Sequence, residues 1–203
     1  MSRRIPGETL HQAWSRLADH EKEGIAKETA DYLLQLRDLH SDKVQALGGQ
    51  PFYCNFLIIS EDRRPSGHDS FSSDAELWAA METSLKDIPQ AARAGLRKRM
   101  PPAKPYTFAH SDLTDVNIMV QNGHLTGILD WELAGVFPVW WEYVGTSIGD
   151  SEKDRDWKVL LRKYMPDYSE AREFWRDYYH LSRYPEGERA RTFLEETERE
   201  LSC

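Results

Sequence analysis

The chain has 203 residues, of which 40% are hydrophobic and 30% charged, and its formal net charge is −8. This length and composition predict a soluble globular protein with a sizeable core, and they exclude disordered and fibrous chains. The acidic balance argues against a protein that binds nucleic-acid backbones, because such binding needs Lys and Arg against the phosphates. It is compatible with a cationic small molecule as ligand.

The cysteines and the apolar runs bear on the cellular compartment. Cys54 and Cys203 are the two cysteines, so the sequence has neither a disulfide framework nor the spacing of a zinc site. No run approaches the roughly 18 apolar residues that span a bilayer, and the N-terminus lacks the apolar stretch of a signal peptide. We therefore expect a cytoplasmic protein with two free thiols and no membrane partner.

The elements predicted around the centre of the chain are mainly helical. Apolar residues at helical spacing predict two packed helices between Thr9 and His40, with Asp19 as the cap of the second. The polar stretch from Glu61 to Ser73 is predicted to be a surface loop. The other predicted helices begin after Ser73 or Asp74 and cover Gln90 to Met100, Val139 to Ser147, Glu152 to Tyr164, Ser169 to Leu181 and Gly187 to Leu201.

The middle of the chain predicts a strand, a loop and a hairpin. Tyr106 to Ala109 and Asn117 to Gln121 are strand-like, and Asn122-Gly123 is a strong signal for a two-residue turn into a third strand from His124 to Asp130. With strict pairing from this turn, Asn117 faces Ile128. Side chains alternate along a strand, so Asp130 is then expected on the same face as Asn117, diagonally across the ladder.

Such diagonal neighbours have Cα atoms roughly 7–8 Å apart, which lets an amide oxygen and a carboxylate share one hard cation. Asp112 lies five residues before Asn117, in a loop that begins at His110. Its carboxylate is placed to accept a proton from a substrate hydroxyl. The same order of groups occurs in phosphoryl transfer, where a loop Asp orients the nucleophile while an Asn and a later Asp hold Mg²⁺. The alternative, that Asp112 only shapes a turn, does not explain the joint spacing.

These residues carry a resemblance to a known family. Phe108 to Val120, FAHSDLTDVNIMV, and Gly127 to Gly135, GILDWELAG, resemble the catalytic and metal motifs of the aminoglycoside phosphotransferase and choline kinase-like family. Phe137 to Val144 is similar to the fungal branch of that family. Ser111 stands where the family more often has Gly, a small change in a tight loop.

The resemblance implies an α+β, mainly helical fold: a protein-kinase-like C-terminal lobe over residues 1–203. It divides into a helical entry segment (1–48), a catalytic loop and metal hairpin (105–135) and a helical subdomain (139–201). By position, Asp112 is the catalytic base, His110 braces the catalytic loop, and Asn117 and Asp130 hold Mg²⁺.

The family holds ATP with an N-terminal β-rich lobe that has a phosphate-covering loop and a Lys–Glu pair. Gly48-Gly49 is not such a loop, so this lobe is expected to be missing and ATP-dependent transfer by this chain alone to be weak. Three hypotheses stay open: a small-molecule kinase, a lobe reused for acid–base chemistry without ATP, and a pseudoenzyme or binding module. The expected protein partner is a second copy of the chain or a separate N-lobe.

Several other residues have two readings. Trp131, Trp140 and Trp141 are predicted to pack in the core rather than to line a substrate cleft. Glu132 and Glu142 either bind amines of a substrate or are helix-end or salt-bridge residues on the surface.

Overall fold

The computed structural model describes residues 5–52, 54–59, 67–149 and 151–201. The helices in these ranges are α1 (Leu10–Ala13), α2 (Asp19–Leu36), α3 (Asp74–Glu82), α4 (Gln90–Arg99), α5 (Trp141–Gly145), α6 (Glu152–Arg162), α7 (Ser169–Arg183) and α8 (Glu188–Leu201). The strands are β1 (Glu8–Thr9), β2 (His40–Ser41), β3 (Gln45–Ala46), β4 (Tyr106–Ala109), β5 (Ile118–Gln121), β6 (His124–Ile128) and β7 (Gly135–Pro138). The predicted α+β, mainly helical fold class is confirmed.

Two small antiparallel sheets position the centre of the chain. One has the strand order β1-β5-β6 and the other the order β2-β4-β7-β3. Strand β4 ends at Ala109 and strand β5 begins at Ile118, so the loop of residues 110–117 runs from one sheet to the other. We call this segment the catalytic loop, after the role that the family resemblance implies for it. The three short strands β1, β2 and β3, and also β7, lie outside the predicted strands.

The hairpin between β5 and β6 has the predicted two-residue turn. Asn122 and Gly123 have φ values of 52° and 76°, as the favoured turn of this length requires. Farther along, the register shifts by one residue, which leaves Thr126 of β6 as an extra residue. Its hydroxyl donates to the carbonyl of Pro6 at 2.8 Å. The irregularity is a β-bulge whose extra residue contacts the N-terminal segment.

This bulge corrects the predicted strand pairing. Ile128 pairs with Ile118, whereas strict pairing puts it opposite Asn117. The carbonyl of Asn117 instead accepts from the backbone N–H of Leu129 at 2.8 Å. Asp130 follows directly, in a left-handed conformation with φ 59° and ψ 65°. The prediction that Asn117 and Asp130 lie on one face of a regular ladder is therefore wrong, because the register is shifted and the backbone turns at Asp130.

The core contains two hydrophobic clusters. One is built on α3, α4, α7 and α8 together with α5, and the other on α1, α2, α6 and the hairpin. Trp140 and Trp141 are 0% and 1% exposed, which confirms the predicted core packing of both. Trp131 differs, because 37% of its surface is exposed.

Helix α2 begins differently from the prediction. Ala18, not Asp19, is its N-cap. The Glu21 carboxylate accepts from the backbone N–H of Ala18 at 2.8 Å, so the helix start is held by a side chain from the first turn. Asp19 lies inside that turn, where its charge suits the helix dipole.

The predicted loop from Glu61 to Ser73 lies partly outside the described residues, which resume at 67. The described part is tied to the core, since His68 and Phe71 form isolated antiparallel bridges with Phe52 and Val44. Residues 67–73 are exposed or partly exposed and form no helix or strand, as predicted for a surface loop, and the two bridges hold them against the core.

Two further expectations concern the thiols and the membrane. Cys54 is a free, buried thiol, and burial raises its pKa to about 12. Cys203 lies outside the described residues. Among the residues that the structure describes, no helix has the length and apolar character to cross a bilayer.

Candidate functional site

His110 is fully buried at the start of the catalytic loop. Its Nε2 lies 2.7 Å from the carbonyl oxygen of Leu129, and its Nδ1 accepts from the backbone N–H of Asp112 at 3.3 Å. Since one ring nitrogen faces an acceptor and the other a donor, these contacts fit the neutral Nε2–H tautomer. The ring also packs edge-on against Trp131, with centroids 4.6 Å apart. His110 thus joins the catalytic loop to the end of the hairpin.

Asp112 and Asn117 are in direct contact. The side-chain amide of Asn117 donates to the carbonyl oxygen of Asp112 at 2.9 Å and to its carboxylate at 3.3 Å. Asn117 is buried, with 8% of its surface exposed. Because the amide nitrogen is used inside the loop, the amide oxygen is left for a donor or a cation.

The carboxylate of Asp112 is electrostatically perturbed. Partial burial raises its pKa above the ordinary value, and the nearby charge of Asp130 raises it further. His110, the ammonium group of Lys158 and the hydrogen bond from Asn117 lower the pKa of Asp112, but they do not cancel the effect of burial. A carboxylate with a raised pKa is a better proton acceptor than an ordinary aspartate, and such groups are enriched at functional sites.

The carboxylate oxygens of Asp130 and the amide oxygen of Asn117 are of the chemical type that binds hard cations such as Mg²⁺. Asp130 is exposed at the end of the hairpin, its charge acts on Asp112, and Asn117 contributes an amide oxygen. Within the described ranges, no group of three or more His, Cys, Asp or Glu side chains is arranged to hold a metal. Mg²⁺ needs no such cage, because it commonly uses one or two carboxylates with water and substrate phosphates.

Glu142 has a role that neither reading of the sequence anticipated. Its half-buried carboxylate accepts from the backbone N–H of His110 at 2.5 Å and from that of Ser111 at 3.4 Å. Burial raises the pKa of this carboxyl group. Glu142 therefore holds the first residues of the catalytic loop. It lies in the first turn of α5, as one reading of the sequence expects, but its carboxylate faces the loop and not the solvent.

Ser111 occupies a backbone conformation that favours glycine. Its φ is 68°, in the left-handed region that costs other residues roughly 1–2 kcal/mol. The indole N–H of Trp141 donates to the Ser111 hydroxyl at 3.2 Å. The chain thus keeps the sharp bend of this loop without a glycine and adds a contact from α5.

An apolar groove of about 340 Å³ lies beside Asp130. Tyr32 and Leu36 of α2 form one wall, and Ile128 and Trp131 form the other. The indole N–H of Trp131 donates to the carbonyl of Ile128 at 2.8 Å, which fixes the ring at the groove. The partial exposure of Trp131 is thereby explained, because the ring covers His110 on one side and lines the groove on the other.

Comparison with known proteins bears on the whole chain. The model of the phosphotransferase enzyme family matches residues 2–195. No curated protein matches the chain. The family match includes the catalytic loop, Asp130 and Glu142.

Several solved structures of aminoglycoside phosphotransferases are similar. The gentamicin complex of APH(2'')-IIa is 16% identical, with a TM-score of 0.48 over 99% of this chain and 68% of that chain. ADP-bound APH(2'')-Ib is 14% identical, with a TM-score of 0.48 over 98% and 69% of the two chains. A ternary complex of an APH(4)-Ia variant with AMP-PNP and hygromycin B is 16% identical, with a TM-score of 0.49 over 98% and 69%.

Proposed function

Since the chain belongs to the phosphotransferase enzyme family, we propose that it transfers a phosphoryl group from a magnesium–nucleotide complex to a hydroxyl group of a small molecule. The observation that carries this proposal is the contact between Asn117 and Asp112, which joins a candidate metal ligand to a candidate base inside one buried loop. The net charge of −8 suits a cationic acceptor.

Asp112 is the general base in this proposal. Its carboxylate accepts the proton of the substrate hydroxyl as the hydroxyl oxygen attacks the terminal phosphorus of the nucleotide. The bond from that phosphorus to the bridging oxygen breaks, and the shortened nucleotide leaves with that oxygen. The raised pKa favours this proton transfer. Contacts with His110 and Asn117 hold the loop before substrate arrives, so little ordering remains to be done at the moment of reaction.

Asn117 and Asp130 would hold Mg²⁺ through the amide oxygen and the carboxylate. The bound ion supplies positive charge against the nucleotide phosphates. The apolar groove beside Asp130 offers flat walls, Trp131 and Tyr32, that suit a nucleotide base. The proposal includes further phosphate contacts from a β-rich lobe that a separate chain contributes.

The test combines a binding measurement with a turnover measurement. Calorimetry of the purified chain with ATP, in Mg²⁺ and in EDTA, should show nucleotide binding that depends on the metal. ATP consumption is then followed with aminoglycosides, choline and other alcohols as acceptors. Asp112→Asn is the matched control, because it keeps the shape of the side chain and should retain nucleotide binding while losing turnover.

Absence of Mg²⁺-dependent binding together with absence of ATP consumption would contradict the proposal. A reaction that needs neither ATP nor metal, yet is lost in Asp112→Asn, would instead establish the acid–base alternative.

A further inference from the structure

The far end of the catalytic loop is held by a second carboxylate. The backbone N–H of Asp115 donates to Oδ1 of Asp154 at 2.9 Å. Asp154 lies on α6 and is fully buried. The backbone carbonyl of Asp115 accepts from the N–H of His11 at 3.0 Å, and the Asp115 carboxylate lies 2.8 Å from His11 Nδ1. Asp115 is thus fixed through its N–H, its carbonyl and its side chain.

Asp154 is itself fixed by a buried lysine. The ammonium of Lys158 lies 2.7 Å from Oδ2 of Asp154, and the two side chains are 3% and 1% exposed. Lys158 also donates to the carbonyl of Ile148 at 2.5 Å. The backbone N–H of Asp154 donates to the Ser151 hydroxyl that caps α6. Both carboxylate oxygens of Asp154 therefore have an assigned partner, one in the loop and one in the helix.

Stability alone does not account for this arrangement. Burying two charges is expensive, and buried ion pairs are often replaced by apolar residues without loss of stability. What such a pair provides is an acceptor in a fixed position. Here the acceptor faces the stretch of backbone between Asp112 and Asn117, the two residues whose separation the proposed chemistry depends on.

We propose that Asp154, oriented by Lys158, is a positioning residue for Asp112 and acts through the backbone of the catalytic loop. This inference rests on the proposed function for its kinetic part. Its structural part, that the Asp154 oxygen holds the Asp115 amide, can be tested without any substrate.

The experiment compares two double variants that both lack the lysine. In D154A/K158M the acceptor for the Asp115 amide is lost, whereas in D154N/K158M the side-chain amide oxygen can still accept. Neither variant leaves a lone buried charge. Amide hydrogen exchange at Asp115, measured by NMR, should be about tenfold faster in the Ala variant than in the Asn variant.

With an active acceptor substrate, kcat should fall about tenfold or more in D154A/K158M and stay near the wild-type value in D154N/K158M, with KM within about twofold in both. Equal exchange rates at Asp115 in the two variants would overturn the inference. So would an equal loss of kcat in both, or a change confined to KM. If the wild type has no transfer activity, the proposed function fails while the exchange comparison still decides the role of Asp154.

A single variant covers the case in which D154A/K158M does not fold. Asp154→Glu keeps the charge beside Lys158 but moves the carboxylate by about one bond length, roughly 1.5 Å. We expect a folded protein with faster exchange at Asp115 and reduced kcat. Wild-type exchange and wild-type kcat in this variant would contradict the inference.

Discussion

The two sides of the catalytic loop are built differently. On the side that faces the core, His110 and Asn117 are buried and hydrogen-bonded. The carboxylates of Glu142 and Asp154 accept hydrogen bonds from backbone amides of the loop on this inner side. On the outer side, Asp130 is exposed and the groove next to it is lined by partly exposed aromatic rings. The difference teaches that groups needing fixed geometry are held by this chain itself, whereas groups that would meet ligands are left open.

Replacing the candidate base should give the largest effect on turnover. Asp112→Asn should lower kcat about 10²- to 10⁴-fold, because general-base catalysis contributes that much. The midpoint of chemical denaturation should hardly move, since the amide can still accept the Asn117 hydrogen bond. Steady-state kinetics and a denaturation curve check both. A large loss of stability would mean that Asp112 is mainly structural.

A change on the outer side should affect binding and leave stability alone. Asp130→Asn should weaken Mg²⁺-dependent nucleotide binding about 10- to 100-fold, because it removes a charged ligand from the cation. Its free energy of unfolding should stay within about 0.5 kcal/mol of wild type, as for other exposed sites. Calorimetry measures the first quantity, and unchanged nucleotide affinity would remove Asp130 from the metal site.

On the inner side, Glu142→Ala should lower the free energy of unfolding by about 1–3 kcal/mol, because it leaves loop amides without an acceptor. Glu142→Gln is the matched control, since its amide oxygen can replace one carboxylate oxygen. Urea denaturation compares the two. Equal stability of the Ala and Gln variants would show that the contact to His110 and Ser111 contributes little.

The raised pKa of Glu142 gives a dependence on pH with a definite sign. Burial favours the neutral acid in the folded state, so the folded-state pKa lies above the ordinary value of 4.5. The resulting stabilisation is complete below that value and is lost as pH rises through the folded-state pKa. The unfolding free energy of the wild type should therefore fall relative to that of Glu142→Gln as pH increases. A difference between the two proteins that does not change with pH would refute this.

The smallest effect is expected at Ser111. Ser111→Gly should relieve about 1 kcal/mol of left-handed strain and lose a hydrogen bond to Trp141 of similar size, so stability should change little. Ser111→Ala keeps the strain and loses the same bond, and it should be less stable by about 1 kcal/mol. Thermal unfolding of both variants checks the order, and a more stable Ala variant would contradict it.

Local sequence signals were sufficient for part of the structure. Asn122-Gly123 predicted the turn because few residues tolerate positive φ, and the structure has that turn. The shift at Thr126 was not predictable in the same way. It involves Pro6, which lies far away in sequence, and no local pattern carries such a contact. The predicted roles of the site residues stay predictions.

The buried groups behind the loop show a signal that was present but unused. Asp154, Trp157, Lys158 and Leu161 share one buried face of α6 at helical spacing. Asp154 and Lys158 lie on the same helix face as the apolar Trp157 and Leu161, and this position predicts that the two charges form a buried ion pair. Glu142 gave no comparable signal, because α5 is one short turn and its packing depends on distant residues.

The β-bulge also bears on how the chain tolerates insertions and deletions. Thr126 is the extra residue of β6, and Asp130 lies four positions farther on. Because Thr126 has no partner in β5, deleting it would let Gly127 follow Leu125 and still pair with Met119, so Leu129 would still lie opposite Asn117. The deletion would remove the bulge and its hydrogen bond to Pro6 without moving Asp130. The bulge is therefore the place where β6 can lose one residue while the end of the strand keeps its position.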